Sequence, residues 1–496
     1  MKAIRSFFLN GSMYGKLILL VGVLLTGPLW VLPFYPEEAI YAPAFLLPTG
    51  FSIVIGLIIC ALTQQRDDIV FEWESPLQRS SLPVLFVWIY GFAIGALPWM
   101  ITGQLDLIQA LFESVSGWTT TGMNILEVAT LPKVFLFYRS FMQFCGGVGF
   151  VLMMVIVIQG KGSMSLYSAE GHIDRLMPSL RQTARFIFMI YSVFLVSGIL
   201  LYCFFGMPLF DAVCHAMSAV STAGYSTLSG GLGGYNSLPI EIVTVVLMLL
   251  GAANFAVLLF LTKGKLKQVF RSTELRMMLV MLVLFVPLIA ITLAAGSDSG
   301  PGQGFRESLF GVVTVLSTTG YSTANYSAWP PFALGLLMIL MVVGGSAGST
   351  SGGIKLSRLY FIIRITRENI HKRVSPAIRT AVPTYNGVRG KIPIDDALIA
   401  NTFGFIACYM CTLIIGTLLL TLTAGCPLFD AMFEFTSVLG TIGISNGLTT
   451  ADMNSAALIV EMFGMALGRL EILVIFYGIT SAIKTIKQVF RNHPQS

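Results

Sequence analysis

The sequence predicts an all-α polytopic membrane protein with ten transmembrane helices: four pseudo-repeated helix–pore helix–helix units around one pore, preceded by two N-terminal helices. Three observations lead there. The composition is too apolar for a soluble globule, ten runs are long enough to cross a bilayer, and a short Thr-x-Gly element recurs four times between them.

Only 11% of the 496 residues are charged and 55% are hydrophobic, against roughly 25% charged in ordinary soluble domains. The mean hydropathy is +0.81. The seven cysteines (Cys60, Cys145, Cys203, Cys214, Cys408, Cys411 and Cys426) sit mostly in apolar runs. An odd number without regular spacing describes neither a disulfide scaffold nor a zinc site, so they read as small core residues. The histidines, His172, His215, His371 and His493, form no HExxH pattern, and no serine or cysteine stands in a nucleophile context. No enzyme is expected.

A helix needs about 20 apolar residues to span the hydrocarbon layer. Runs of that order lie near 16–34, 43–63, 81–101, 133–159, 186–206, 239–262, 276–295, 330–363, 397–423 and 455–483. The first follows Lys2 and Arg5 like a signal peptide, but it is long and no small-x-small cleavage site follows, so it is expected to remain as an anchor. Positive charge fixes the orientation. With both termini cytoplasmic, 26 of the 30 Lys and Arg fall in inside segments, leaving Lys133, Arg139, Arg306 and Arg469. The outer loops carry Glu37, Glu38, Glu127 and Asp452, a face hospitable to cations. The net charge of +6 is thus a signature of topology, and no nucleic-acid partner is expected.

Four stretches too short to span align without gaps on Gly122, Gly224, Gly320 and Gly443, which are 102, 96 and 123 residues apart. Two positions earlier stand Thr120, Thr222, Thr318 and Thr441; thirteen earlier stand Gln109, Asp211, Glu307 and Asp430. The units are expected at 81–159, 160–262, 263–365 and 366–496, after an N-terminal pair in 1–80. A cation entering a membrane must exchange its water for other oxygens, and carbonyls of converging loops supply them. Glycine reaches positive φ without a Cβ clash and so turns a carbonyl toward the axis. The polar residue thirteen places earlier is expected to cap its short helix. One Thr-x-Gly copy would be no more than a turn, but four in register are a design.

The eighth run is interrupted by Gly344, Gly345, Ser346, Ala347, Gly348, Ser349, Thr350, Ser351, Gly352 and Gly353, followed by Ile354 and Lys355. The apolar stretch before it covers only about 20 Å, so the break falls inside the membrane and is expected to line the ion path. A phosphate-binding loop is a poor match, because no Ser or Thr follows Lys355 and no strand precedes. A ladder of small residues for close helix packing is the other reading. Arg469 interrupts the last run; a buried guanidinium is costly and so marks a function, unless it pairs with Glu461 or Glu471.

With the strings TTTGM, STAGYS, STTGYS and GTIGIS in place, the chain resembles the superfamily of Trk, Ktr and HKT potassium transporters, and most closely the bacterial Trk potassium uptake proteins. The resemblance covers the whole chain, including the two extra N-terminal helices of the Trk branch. It implies a K⁺ selectivity filter at Thr120, Thr121, Gly122, Thr222, Ala223, Gly224, Thr318, Thr319, Gly320, Thr441, Ile442 and Gly443. Residues 344–353 become an intramembrane gate, with Lys355 as an electrostatic element and Arg469 facing the pore below the filter. It further implies a homodimer in the bacterial inner membrane and a cytosolic ring of nucleotide-binding regulatory subunits of RCK/KTN type. That ring would hold the nucleotide, ATP/ADP or NAD(H); this chain would hold no cofactor, only K⁺ as cargo. Docking is expected at the basic stretch 364–391 and at loops 161–185 and 263–276. The alternative is a secondary symporter coupled to Na⁺ or H⁺, which would show inverted repeats around one midplane site.

Overall fold

The computed structural model describes residues 12–62, 76–149, 179–296, 300–374, 384–387, 390–470 and 472–491. Two antiparallel neighbours, α1 (Met13–Leu24) and α2 (Ala42–Leu62), come first. Between them the chain runs in 3₁₀ turns over Gly27–Phe34 and Pro36–Tyr41, because Pro28 and Pro33 each remove a backbone donor.

Four stretches follow, each with a long helix, a short helix and a further helix after it. The first is α3 (Pro76–Ile101), the short α4 (Leu107–Trp118) and α5 (Lys133–Val148). The second is α6 (Leu180–Phe204), α7 (Leu209–Val220) and α8 (Leu238–Gly251) with α9 (Phe255–Thr262) and a single turn, α10 (Leu266–Val269). The third is α11 (Thr273–Gly296), α12 (Pro301–Leu316), α13 (Pro331–Val342) and α14 (Leu356–Val374). The fourth is α15 (Asp396–Ala424), α16 (Leu428–Leu439), α17 (Ser455–Arg469) and α18 (Ile472–Arg491). Within each unit the short helix packs against the helix before it and the helix after it. Between units, α5 touches α7, α8 touches α12, α13 touches α16, and α17 touches α4, so the chain of contacts closes on itself.

Several expected spans differ in detail. Six helices among the described residues are long and apolar enough to cross a membrane. The sixth run is broken, with α8 and α9 meeting at 109°. Asn254 makes that break, its side chain accepting the Ala256 N–H at 2.8 Å and starting a new helix. The last run is divided too: α17 ends at Arg469 and α18 begins at Ile472. Residues 150–159 of the fourth run lie outside the described residues, as do most of the loop 161–185, Glu471, and Pro376 and Pro383 of the basic stretch. The fold is also not wholly helical. An antiparallel hairpin pairs β1 (Thr384–Gly387) with β2 (Gly390–Pro393), and the Thr273 hydroxyl at the start of α11 donates to Asn386 O at 3.0 Å.

Candidate functional site

The four short helices end alike. In each, the N–H of the threonine bonds to the carbonyl three residues back, at 3.2, 3.2, 3.0 and 3.0 Å for Thr120, Thr222, Thr318 and Thr441. The next N–H bonds five residues back: Thr121 to Ser116, Ala223 to Ser218, Thr319 to Thr314, Ile442 to Ser437, at 2.8–3.0 Å. This is the Schellman pattern, whose left-handed position is usually glycine. Here it is threonine, with φ of 58, 52, 56 and 52°. A left-handed conformation costs an L-residue roughly 1–2 kcal/mol, and a β-branched one is a particular outlier. Four copies keep it, so the hydroxyl matters where a glycine would be easier. The Thr120 and Thr441 hydroxyls are buried without a protein partner among the described residues.

Two residues on, the glycines have φ of 79, 80, 81 and 84°. Left-handed residues on either side of an ordinary one swing successive carbonyls to the same side of the strand, which lines that side with oxygen. A methyl group on Gly122 would run into the carbonyl oxygen of Ala223; on Gly224, into that of Thr319; on Gly320, into that of Ile442; on Gly443, into that of Thr121. Loop 1 therefore abuts loop 2, loop 2 abuts loop 3, loop 3 abuts loop 4, and loop 4 returns to loop 1. All twelve residues expected at the filter come together in this ring.

The ring is braced by polar residues, of which only His215 was expected from the sequence to pack or hydrogen-bond on its short helix. They stand nine places before the glycines: Glu113, His215 and Glu434, with Gly311 as the exception. All three side chains are fully buried. Glu113 accepts from Ile125 N–H at 3.1 Å, from the Tyr225 hydroxyl of the next loop at 3.1 Å and from Arg139 Nε at 3.2 Å. Arg139 lies 3.8 Å over the Tyr225 ring and donates to Asn124 at 2.5 Å. His215 meets Ser226 at 3.1 Å and stacks on Tyr321, whose hydroxyl donates to His215 O at 3.0 Å. Glu434 accepts from Ser445 Oγ at 2.6 Å, from the N–H groups of Asn446 and Thr449 at 3.1 and 3.2 Å, and from Thr449 Oγ1. At Gly311 the Trp329 ring fills the space instead. The common offset was the available signal.

The residues thirteen places before the glycines do not all cap. Gln109 takes part in a capping box, but Asp106 is the cap, accepting Gln109 N–H at 2.8 Å. Asp211 and Asp430 follow Pro208 and Pro427 at the cap positions and bond no helix N–H; Glu307 lies well inside α12 and accepts from Gln303 at 2.8 Å. Proline presets the first-turn φ, so no side-chain cap is needed to start the helix.

Beneath the threonines, residues 343–355 form a compact lobe rather than a slack loop or a helical ladder. Val343 and Ile354 pair as a parallel bridge, with Gly344 N–H to Ile354 O at 2.9 Å and Ile354 N–H to Val342 O at 3.0 Å. The lobe leaves and re-enters at one point. Ser349 bonds Ser346 O at 2.6 Å and Ser351 Oγ at 2.7 Å, and Lys355 Nζ donates to Ser351 O. The tip reaches the ring: Thr350 Oγ1 meets Thr222 Oγ1 at 3.0 Å, and Gly352 N–H donates to Thr318 Oγ1 at 3.0 Å. It also docks into the α8–α9 break, through Ser346 N–H to Ala252 O at 3.0 Å and Thr350 Oγ1 to Gly251 O at 3.2 Å. Glu274 of α11 accepts Ala347 N–H at 2.9 Å.

Arg469 joins this lobe to the first unit. It donates to Thr350 O, to Gly146 O at 2.6 Å and to Gly147 O at 3.2 Å. Glu461 instead faces Thr449, whose hydroxyl also meets Glu434. The other cations left over from the inside segments each meet a local partner. Arg306 makes two 2.7 Å bonds to Glu241, Arg139 pairs with Glu113, and Lys133 sits 4.8 Å over Phe210. A cavity of about 50 Å³ borders Arg469 and Gly352 below the ring, and one of about 370 Å³ opens beyond Gly320 and Gly443.

The model of the TrkH cation transport protein family matches residues 50–484. The chain belongs to that family. TrkH-family relatives include the Trk system potassium uptake protein TrkH of Halomonas elongata, 31% identical over 88% of this chain and 92% of the relative. The Trk system potassium uptake protein TrkG of Escherichia coli K12 is 29% identical over 94% of this chain and 97% of its own. The crystal structure of the potassium transporter TrkH from Vibrio parahaemolyticus superposes with a TM-score of 0.81 at 27% identity, covering 95% of this chain and 98% of that one. The protein is thus a multi-pass membrane transporter and not an enzyme, and the symporter on inverted repeats finds no support in the family.

Proposed function

We propose that this chain carries K⁺ into the bacterial cytoplasm through the ring of four loops, with the carbonyls of Thr121, Ala223, Thr319 and Ile442 and the four glycines replacing the ion's water. The reading rests above all on ring closure, each glycine lying against the next loop's carbonyl in cyclic order. It is supported by the relatives, which are named for potassium uptake and transport. The threonine hydroxyls supply the lowest oxygens, two of them with no protein partner among the described residues.

The lobe 344–353 is the gate. Its tip bonds Thr222 and Thr318, two of the four threonines that end the path, and Arg469 holds a positive charge against that tip. Conduction requires those few bonds to part, while the membrane potential draws the ion inward with about 2.3 kcal/mol per 100 mV. Lys355 clamps the lobe from within. Regulation enters from a cytosolic ring of nucleotide-binding subunits docked on the basic stretch 364–391, on a homodimeric membrane protein in the inner membrane with both termini inside. Binding of that ring should fall when Arg364, Arg367, Lys372 and Arg373 are neutralised together.

The test is growth of an uptake-deficient bacterium on limiting K⁺, with rubidium flux into liposomes as its purified counterpart. The native chain should rescue growth. Gly320→Ser, which puts a Cβ at φ +81° against Ile442 O, should lose discrimination against Na⁺. Equal rescue with unaltered selectivity would overturn the filter.

A further inference from the structure

The ring is not fourfold equivalent, and one buried side chain makes the difference. Gln143 of α5 is fully buried at the seam between loops 1 and 2. Its Nε2 donates to Ala223 O at 2.7 Å, and lies 3.4 Å from where a Cβ on Gly122 would stand. Its Oε1 accepts from Ser218 Oγ at 2.5 Å and from Tyr225 N–H at 3.3 Å. The amide has only one orientation there, because the Tyr225 N–H can only donate and the Ala223 carbonyl can only accept.

The other units place no such donor. The glycines Gly146, Gly251 and Gly468 occupy matching places, each lying against the carbonyl four residues before its filter glycine: Trp118, Val220 and Leu439. Three residues before those glycines stand Gln143, Met248 and Met465; the third unit has Met341 three before Gly344. All three methionines are fully buried. A thioether donates nothing, and among the described residues no side chain bonds the carbonyls of Thr121, Thr319 or Ile442.

We infer that Gln143 is a specificity-determining positioning residue, which holds the Ala223 carbonyl back from the axis and keeps the ring too wide at that corner for a small, strongly hydrated cation. The inference rests on the filter reading above. An amide N–H occupies one lone pair of this oxygen and restrains its swing; without it the carbonyl is free to tilt inward and satisfy Na⁺. Loop 2 is the place for this restraint because its middle residue is Ala223, the smallest of the four, with little side chain to wedge the strand.

Gln143→Met makes the first unit like the other three at nearly constant volume. In liposomes with K⁺ or Na⁺ inside and rubidium as tracer, it should conduct while its K⁺ over Na⁺ preference falls about fivefold, the weight of roughly one net hydrogen bond. Ser218→Ala, which removes one of the two donors to Oε1 and so holds the amide less firmly without turning it, should lower the ratio by a smaller factor. A conducting Gln143→Met protein with the native ratio overturns the inference while leaving the filter standing. If that variant does not fold, an unchanged ratio in Ser218→Ala overturns it. Absence of selective flux in the native protein removes both readings together.

Discussion

The ring and the lobe beneath it are both irregular backbone between the helices of a membrane protein, and they are held in opposite ways. Such backbone is tolerated only where protein satisfies it or water reaches it. The ring repeats one hydrogen-bonding pattern four times and is braced from behind by buried side chains, Glu113, His215 and Glu434. The lobe exists once and is held by single bonds from all four units: Gly146 and Gly147 through Arg469, Gly251, Glu274 and Arg469 itself. A structure fixed by repetition is stiff, whereas one fixed by scattered single bonds can be released.

The sharpest way to break this contrast is to strike the ring's own geometry. Gly443→Ala places a methyl group at φ +84° against Thr121 O, and should reduce K⁺ flux by tenfold or more, equivalent to about 1.4 kcal/mol or more. Next is the brace. Arg139→Met strands Glu113 in a fully buried site and should cost about 3–5 kcal/mol, read as a lowered unfolding midpoint in detergent; Arg139→Met with Glu113→Gln, which removes the unpaired charge but keeps an acceptor, should recover part of it. The lobe should respond in the opposite direction. Arg469→Ala removes three bonds to backbone carbonyls and should raise flux several-fold, on the scale of about 1 kcal/mol of gate closure, at undiminished selectivity.

The mildest change concerns Glu461. The Thr449 hydroxyl has one proton and meets both Glu434 and Glu461. Glu434 collects four donors, whereas Thr449 is the hydrogen-bond partner found for Glu461. Glu461→Gln keeps a group able to donate to Thr449 and should shift stability by less than about 1 kcal/mol. Glu434→Gln keeps only one of the two oxygens that accept the Asn446 and Thr449 N–H groups and should shift it more.

Periodicity and repetition made the ring readable before any coordinates: four glycines, four threonines and their spacing aligned four converging loops, and the family resemblance added the residues between them. The interruption at Gly344 was equally visible, because thirteen apolar residues do not complete a crossing. What the pattern could not carry was anything that occurs once or is enforced by a neighbour. The break at Asn254 looks like an ordinary amide in an apolar run, and only its cap on Ala256 and the docked lobe explain it. The hairpin at Thr384–Pro393 is too short for a period to emerge. The thirteen-back residues misled because Pro208 and Pro427 already start their helices. Glu113 and Glu434 were overlooked although their offset repeats, because the intervening copies are His215 and Gly311 and no single residue type marks the position.

The account turns on four loops sharing one cation. Crystals grown with rubidium or thallium in place of potassium would locate it by anomalous scattering. The account predicts peaks on the axis, ringed by the carbonyls of Thr121, Ala223, Thr319 and Ile442 and absent when Na⁺ alone is present; peaks confined to the space beside the lobe, with none between the glycines, would contradict it.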